Sequence, residues 1–116
     1  MRFLIIVKAT PQSEAGAKPD DALRRAMAAY RDDLAGAGVL LDGGALLPSA
    51  AGWRIRHDGG ARTVVNGPFA ETRELVSGYV LIQVRSREEA LEWTKRMPNP
   101  AIDGARGEIE VRQLST

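Results

Sequence analysis

The 116-residue chain has no cysteine and a single histidine, His57. Without thiols it can form no disulfide, cysteine nucleophile or Cys-ligated metal site. One imidazole leaves no histidine cluster for a metal unless two chains pool their ligands. Charge of one sign is also lacking: 16 Lys and Arg against 15 Asp and Glu leave a net charge of +1. That balance gives no electrostatic reason to expect nucleic acid or an anionic membrane as partner. Aromatic residues make up 5% of the chain, and none interleaves with the basic stretch Arg54, Arg56, Arg62, so a nucleic-acid face is not indicated. Long apolar runs are missing as well. The early run Phe3–Val7 is too short for a signal-peptide core or a bilayer span. The expectation is therefore a cytoplasmic protein with no metal and no cofactor.

What the chain does have is ordinary for a folded domain, with 44% apolar and 27% charged residues. This length suits one domain spanning residues 1–116, with about two-thirds of its unfolded surface buried. Arg2–Lys8 reads as a strand that is apolar on both faces, Phe3, Ile5 and Val7 on one and Leu4 and Ile6 on the other. Thr10–Pro19, with Pro, Gly and Ser, reads as a loop. Asp20 can cap a helix running to about Ala37, with Leu23, Met27, Tyr30 and Leu34 on one face and Arg24, Arg25, Arg31 and Asp32 elsewhere. A second strand begins at Val39 and is expected to break near Gly43-Gly44. Two β-type runs around Asp58-Gly59-Gly60-Ala61 read as a hairpin. Tyr79–Val84 is again apolar on both faces. Ser86 with Glu89 forms a capping box that opens a helix to about Met97, and Glu108–Leu114 closes the chain as a strand.

That order is β-α-β-hairpin-β-α-β, the split βαβ arrangement of an α+β, ferredoxin-like βαββαβ domain with an inserted β-hairpin. Both helices of such a domain lie on one face of the sheet. Two strands apolar on both sides leave the other face needing cover, and a second copy of the same sheet is the simplest one. A homodimer is expected.

The residues with chemical potential gather after the hairpin. Asn66-Gly67-Pro68-Phe69 reads as a turn anchored by Phe69, and Glu71, Thr72, Arg73 and Glu74 surround one hydroxyl with three charges. A carboxylate turned into an apolar cleft there would have a raised pKa and could act as a general base. Glu71 is the first candidate and Glu74 the second; Asn66, Phe69, Thr72, Arg73 and Tyr79 are the candidate ligand contacts. The alternative is that the turn only shapes the fold and its charges are solvated. His57 and Asp58 are neighbours in a strand and should point to opposite faces, so no dyad forms. Trp53 and Trp93 are expected to pack rather than bind ligand.

The nine residues Asn66–Glu74 resemble the signature of the DGPF-type proteins in the YCII-related family. The surroundings agree: Ala37-Gly38-Val39, Gly44, Leu47-Pro48, Gly78-Tyr79, Ala90-Leu91-Glu92-Trp93 and Glu108–Arg112. The resemblance implies a dimeric α+β barrel and, for most members, no established activity. Some relatives are encoded beside extracytoplasmic-function sigma factors, and more distant ones resemble muconolactone isomerases. The family's leading acid is Asn66 here and its usual Lys is Arg73, which keeps the charge but excludes amine chemistry. The His–Asp pair suggested as catalytic in shorter members has no counterpart. The expected function is small-molecule binding in a cleft near Asn66–Glu74, with cofactor-free acid–base catalysis open, against a regulatory or protein-interaction module acting on a partner such as a sigma factor.

Overall fold

A computed structural model describes residues 1–115. Four strands, β1 (Arg2–Lys8), β2 (Leu40–Ala45), β5 (Val76–Gln83) and β6 (Ile109–Gln113), form one sheet in the order β2-β5-β1-β6. Every neighbouring pair is antiparallel. Two main helices, α2 (Asp21–Gly36) and α3 (Arg87–Lys95), connect them, and the hairpin β3 (Trp53–Asp58) and β4 (Ala61–Asn66) is inserted between β2 and β5 as a separate two-stranded sheet. This is the expected ferredoxin-like α+β topology with its inserted hairpin.

The alternation of β1 and β5 decides the layers. Phe3 and Ile5 pair with Ile82 and Val80 on the inner face, where they are buried with Tyr30 and Leu34 of α2 and Ala90 of α3. Each fully buried aliphatic side chain here contributes roughly 1.5–3 kcal/mol of transfer free energy. Tyr30 reaches across the helix layer and donates its hydroxyl to the Trp93 carbonyl at 2.7 Å. Burial pushes its pKa up to about 12, because the phenolate would lose its hydration.

On the outer face Leu4 pairs with Leu81 and Ile6 with Tyr79, bordered by Arg112 and Glu110 on β6 and by Asp42 and Gly44 on β2. These four central side chains are half-buried. The shortest extent of the molecule, 19 Å, is that of one helix layer on one sheet.

Local signals explain the element ends. Asp20 accepts the Leu23 N–H at 2.8 Å and opens α2. Ser86 accepts from the Glu89 N–H, but the Glu89 carboxylate accepts from Arg85 rather than from Ser86, so only half of the expected capping box closes. Gly59, with φ of +59°, makes the tight turn between β3 and β4.

Four expectations need correction. Thr10–Pro19 is not all loop: Thr10 and Ser13 close a capping box on a short helix, α1 (Pro11–Glu14). β2 does not break at Gly43-Gly44 but runs through them, because β5 supplies a partner for each. β5 starts at Val76, three residues before Tyr79. Trp53 does not pack within its own chain, where it is 65% exposed, whereas Trp93 packs against the core. The reason lies in the hairpin's pleat, which puts Trp53, Ile55 and Val64 on one face, and these three are exposed. Among the described residues no helix is long and apolar enough to cross a membrane.

Candidate functional site

The signature turn is a fastening. Gly67 sits so close to the 49–51 turn that a Cβ would stand 1.9 Å from the Ser49 carbonyl oxygen, a contact only glycine avoids. The Gly67 N–H donates to Gly52, and the Gly67-Pro68 peptide is cis. Ser49 is the hub: its Oγ accepts the Phe69 N–H at 3.0 Å, its N–H donates to Glu14 Oε2 at 2.8 Å, and its hydroxyl donates to Glu14 Oε1. A charge-assisted pair of bonds of this kind is stronger than a neutral one. It ties three segments far apart in the chain: α1, the 49–51 turn and the signature. Phe69 is half-buried with the Arg54 guanidinium 3.8 Å above its ring, a cation–π contact.

The polar signature residues lead away from this hub. Asn66, Glu71, Arg73 and Glu74 are exposed, and Thr72 is half-exposed in the 3-10 turn Thr72–Glu74. None of Glu71, Arg73 and Glu74 takes part in an ion pair among the described residues. Beside the hub lies a cavity of about 380 Å³ lined by Glu14, Leu46, Leu47, Ser49, Leu75 and Val76 among others.

A larger cavity, about 520 Å³, opens between α2 and the inner face of the sheet and shares Ala45 and Leu46 with the first. Its apolar walls are Val7 and Val80 from the sheet, Leu23 and Met27 from α2, and Met97 and Ile102 from the segment after α3. Hydroxyls of Thr10, Ser13 and Ser77 and the cations Lys8, Arg24 and Arg31 complete the rim. Among the described residues no carboxylate lines it. Arg24, Met27, Ala28 and Arg31 fall on one stripe of α2 by the i, i+3, i+4, i+7 rule.

Of the seven residues picked from sequence, the structure brings only Tyr79 to this cavity. Asn66, Phe69, Glu71, Thr72, Arg73 and Glu74 line neither of the two cavities. Tyr79 belongs to both worlds, since its side chain stands on the outer face of β5 against Gly44 while its strand floors the cleft. Its hydroxyl donates to Asp42 Oδ2 at 3.0 Å. That hydrogen bond, with the charge of the same carboxylate, holds the phenol above its usual pKa, and nearby Arg31 partly offsets it. His57 and Asp58, consecutive in β3, lie on opposite faces of the hairpin as expected.

Sequence reasoning missed Glu14, Ser49, Lys8, Arg24 and Arg31. For the two arginines a signal was present, because they share the helical stripe that carries Met27. For Glu14 and Ser49 no signal existed in one chain, since their contact spans 35 positions.

Fold and cleft together define a small two-layer α+β domain of ferredoxin-like topology with a ligand-sized pocket under its first long helix. The YCII-related domain family matches residues 1–115, and the chain belongs to that family. An uncharacterized protein of Rhizobium meliloti (strain 1021) is 34% identical over 96 residues, covering 83% of this chain and 76% of that protein. A solved structure of 5-chloro-2-hydroxyhydroquinone dehydrochlorinase (TftG) from Burkholderia phenoliruptrix AC1100, in complex with 2,5-dihydroxybenzoquinone, is 19% identical. It covers 99% of this chain and 94% of its own, with a TM-score of 0.48.

Proposed function

We propose that this protein binds a small organic molecule in the cleft between α2 and the sheet. The observation that carries the reading is a cavity of about 520 Å³ with apolar walls and a few hydroxyl and cationic groups at its rim. That size and make-up match ordinary small-molecule sites, which occupy about 300–1,000 Å³. The test is a thermal-shift and NMR titration with a panel of small aromatic and alicyclic compounds, on the native chain and on Met27→Trp, which fills the cleft. Binding to the native chain that the substitution removes supports the reading. A blank panel, or binding indifferent to Met27→Trp, sinks it.

The working unit in this reading is a homodimer. Supporting it are the apolar outer face of Leu4, Ile6 and Leu81 and the bare hairpin face of Trp53, Ile55 and Val64. A second sheet laid on the first would cover both. Light scattering is expected to return twice the 12.5 kDa of one chain, and Ile6→Glu should halve it. Acid–base catalysis by Glu71 or Glu74 would need a ligand held on the signature side, where both carboxylates are exposed and line neither cavity.

A second reading, a regulatory or protein-interaction module acting on a partner such as a sigma factor, is favoured by one observation. Leu47 and Trp53 are 78% and 65% exposed. A stable monomer in light scattering would move the balance to that reading, because the apolar hairpin would then need a different cover.

A further inference from the structure

The cleft carries one feature beyond its shape, a one-sided charge. The whole chain is nearly balanced, 16 basic against 15 acidic residues, yet the cavity wall holds Lys8, Arg24 and Arg31 and no Asp or Glu. The three cations are not equivalent. Arg24 is drawn into an ion pair with Asp21 on the outside of α2. Lys8 and Arg31 have no ion-pair partner among the described residues.

Arg31 also lies against the edge of the sheet. It lies one helical turn along from Met27 on the same stripe and approaches β2 at Gly43. A methyl group at Gly43 would stand 2.7 Å from Arg31 Nη2 and 3.2 Å from the Tyr79 carbonyl oxygen. Glycine inside a strand costs stability and usually marks a place where another group must approach the backbone closely. Here the group that approaches is a guanidinium. Its planar fork of donors suits a carboxylate or enolate, which it can grip with two hydrogen bonds.

From these observations we infer that the cleft selects an organic anion, its apolar body against Met27, Val80 and Ile102 and its acidic group held by Arg31 over Gly43, with Lys8 adding charge. This rests on the cleft reading above and names the ligand class for it. Apolar walls make the match an organic acid rather than a bare inorganic anion, since inorganic phosphate would leave them empty.

The experiment compares 3-phenylpropanoate with its neutral isostere 3-phenylpropanamide and with inorganic phosphate, by NMR titration at low salt. The acid is expected to bind the native chain about tenfold tighter than the amide, and the advantage should shrink as salt is raised. Arg31→Met should remove the advantage while leaving amide binding in place, and Arg31→Lys should restore part of it. Gly43→Ala, which keeps the arginine but displaces it, should weaken the acid and spare the amide. Arg25→Ala, a change of equal charge off the cavity stripe, should leave both affinities unaltered.

Equal affinity for acid and amide overturns the anion inference and leaves the cleft reading intact. Phosphate binding as tightly as 3-phenylpropanoate overturns it as well. If neither organic probe binds, the cleft reading fails with it. An acid preference that survives Arg31→Met overturns the assignment of Arg31.

Discussion

The signature turn and the cleft are built by opposite means. The turn is a contiguous stretch of chain held by its backbone: Gly67 against Ser49, the Phe69 N–H on Ser49 Oγ, and Ser49 on the Glu14 carboxylate. Its charged side chains face away from that hub. The cleft is made of side chains from β1, α1, α2, β2, β5 and the segment after α3, and no two of its rim cations are neighbours in sequence. A turn that must hold one backbone geometry restricts each successive residue and so writes a recognisable motif. A pocket needs only shape and charge in space and leaves scattered traces. In this protein the most recognisable stretch is therefore the fastening, and the cleft has the fainter mark.

If that contrast is right, substitutions in the turn should cost stability and spare binding, and those at the rim should do the reverse. The largest effect is expected from Gly67→Ala, whose new methyl would meet the Ser49 carbonyl. Overpacking of this kind costs about 3 kcal/mol or more, read as a lower urea midpoint. Ser49→Ala comes next, stranding the Phe69 N–H and half of the Glu14 carboxylate's bonds, at about 1–2 kcal/mol. In both variants, whatever fraction stays folded should bind 3-phenylpropanoate with native affinity; a loss of binding would make the turn part of the site and break the contrast.

Tyr30→Phe tests a third tie, between α2 and α3, since it frees α2 from the Trp93 carbonyl at a cost of about 1 kcal/mol. It carries a pH signature too. Burial raises the folded pKa from 10.0 to about 12, so the native state keeps a proton that the unfolded chain releases. Stability from this group is full below pH 10 and is lost as pH rises toward 12. Denaturation midpoints should fall over that window in the native chain and fall less in Tyr30→Phe. The smallest stability effect is expected for Arg31→Met, within about 0.5 kcal/mol because the side chain is exposed, although it should bring the largest loss of acid binding. A large destabilisation by Arg31→Met would merge the two regions into one structural unit.

Much of the fold could be read in the residues. The near-continuous apolar runs Phe3–Val7 and Tyr79–Val84, the Asp20 cap and the Gly59-Gly60 turn are short-range signals, and each corresponds to an element. The misreadings share a cause. Gly43-Gly44 looked like a break because intrinsic strand propensity is low there, but pairing with β5 outweighs it. Trp53 looked like core because large aromatics usually pack, but only the hairpin's register shows that its face has nothing on it within one chain. In the candidate site, Arg31 was visible as a residue but its approach to Gly43 was not, because that depends on an absent side chain on another strand.

The sequence by itself determined the order of elements, their caps and turns, the two-faced strands and the lack of thiol chemistry. These follow from neighbours a few positions apart and from composition. Tertiary structure alone decided that Glu14 meets Ser49, that Arg31 lies over Gly43 and that the wall of the cleft holds cations without a carboxylate. Such contacts join residues separated by many positions, and no local spacing encodes them. Packing α2 across the sheet brings them together, and the charge pattern of the cleft exists only once it has.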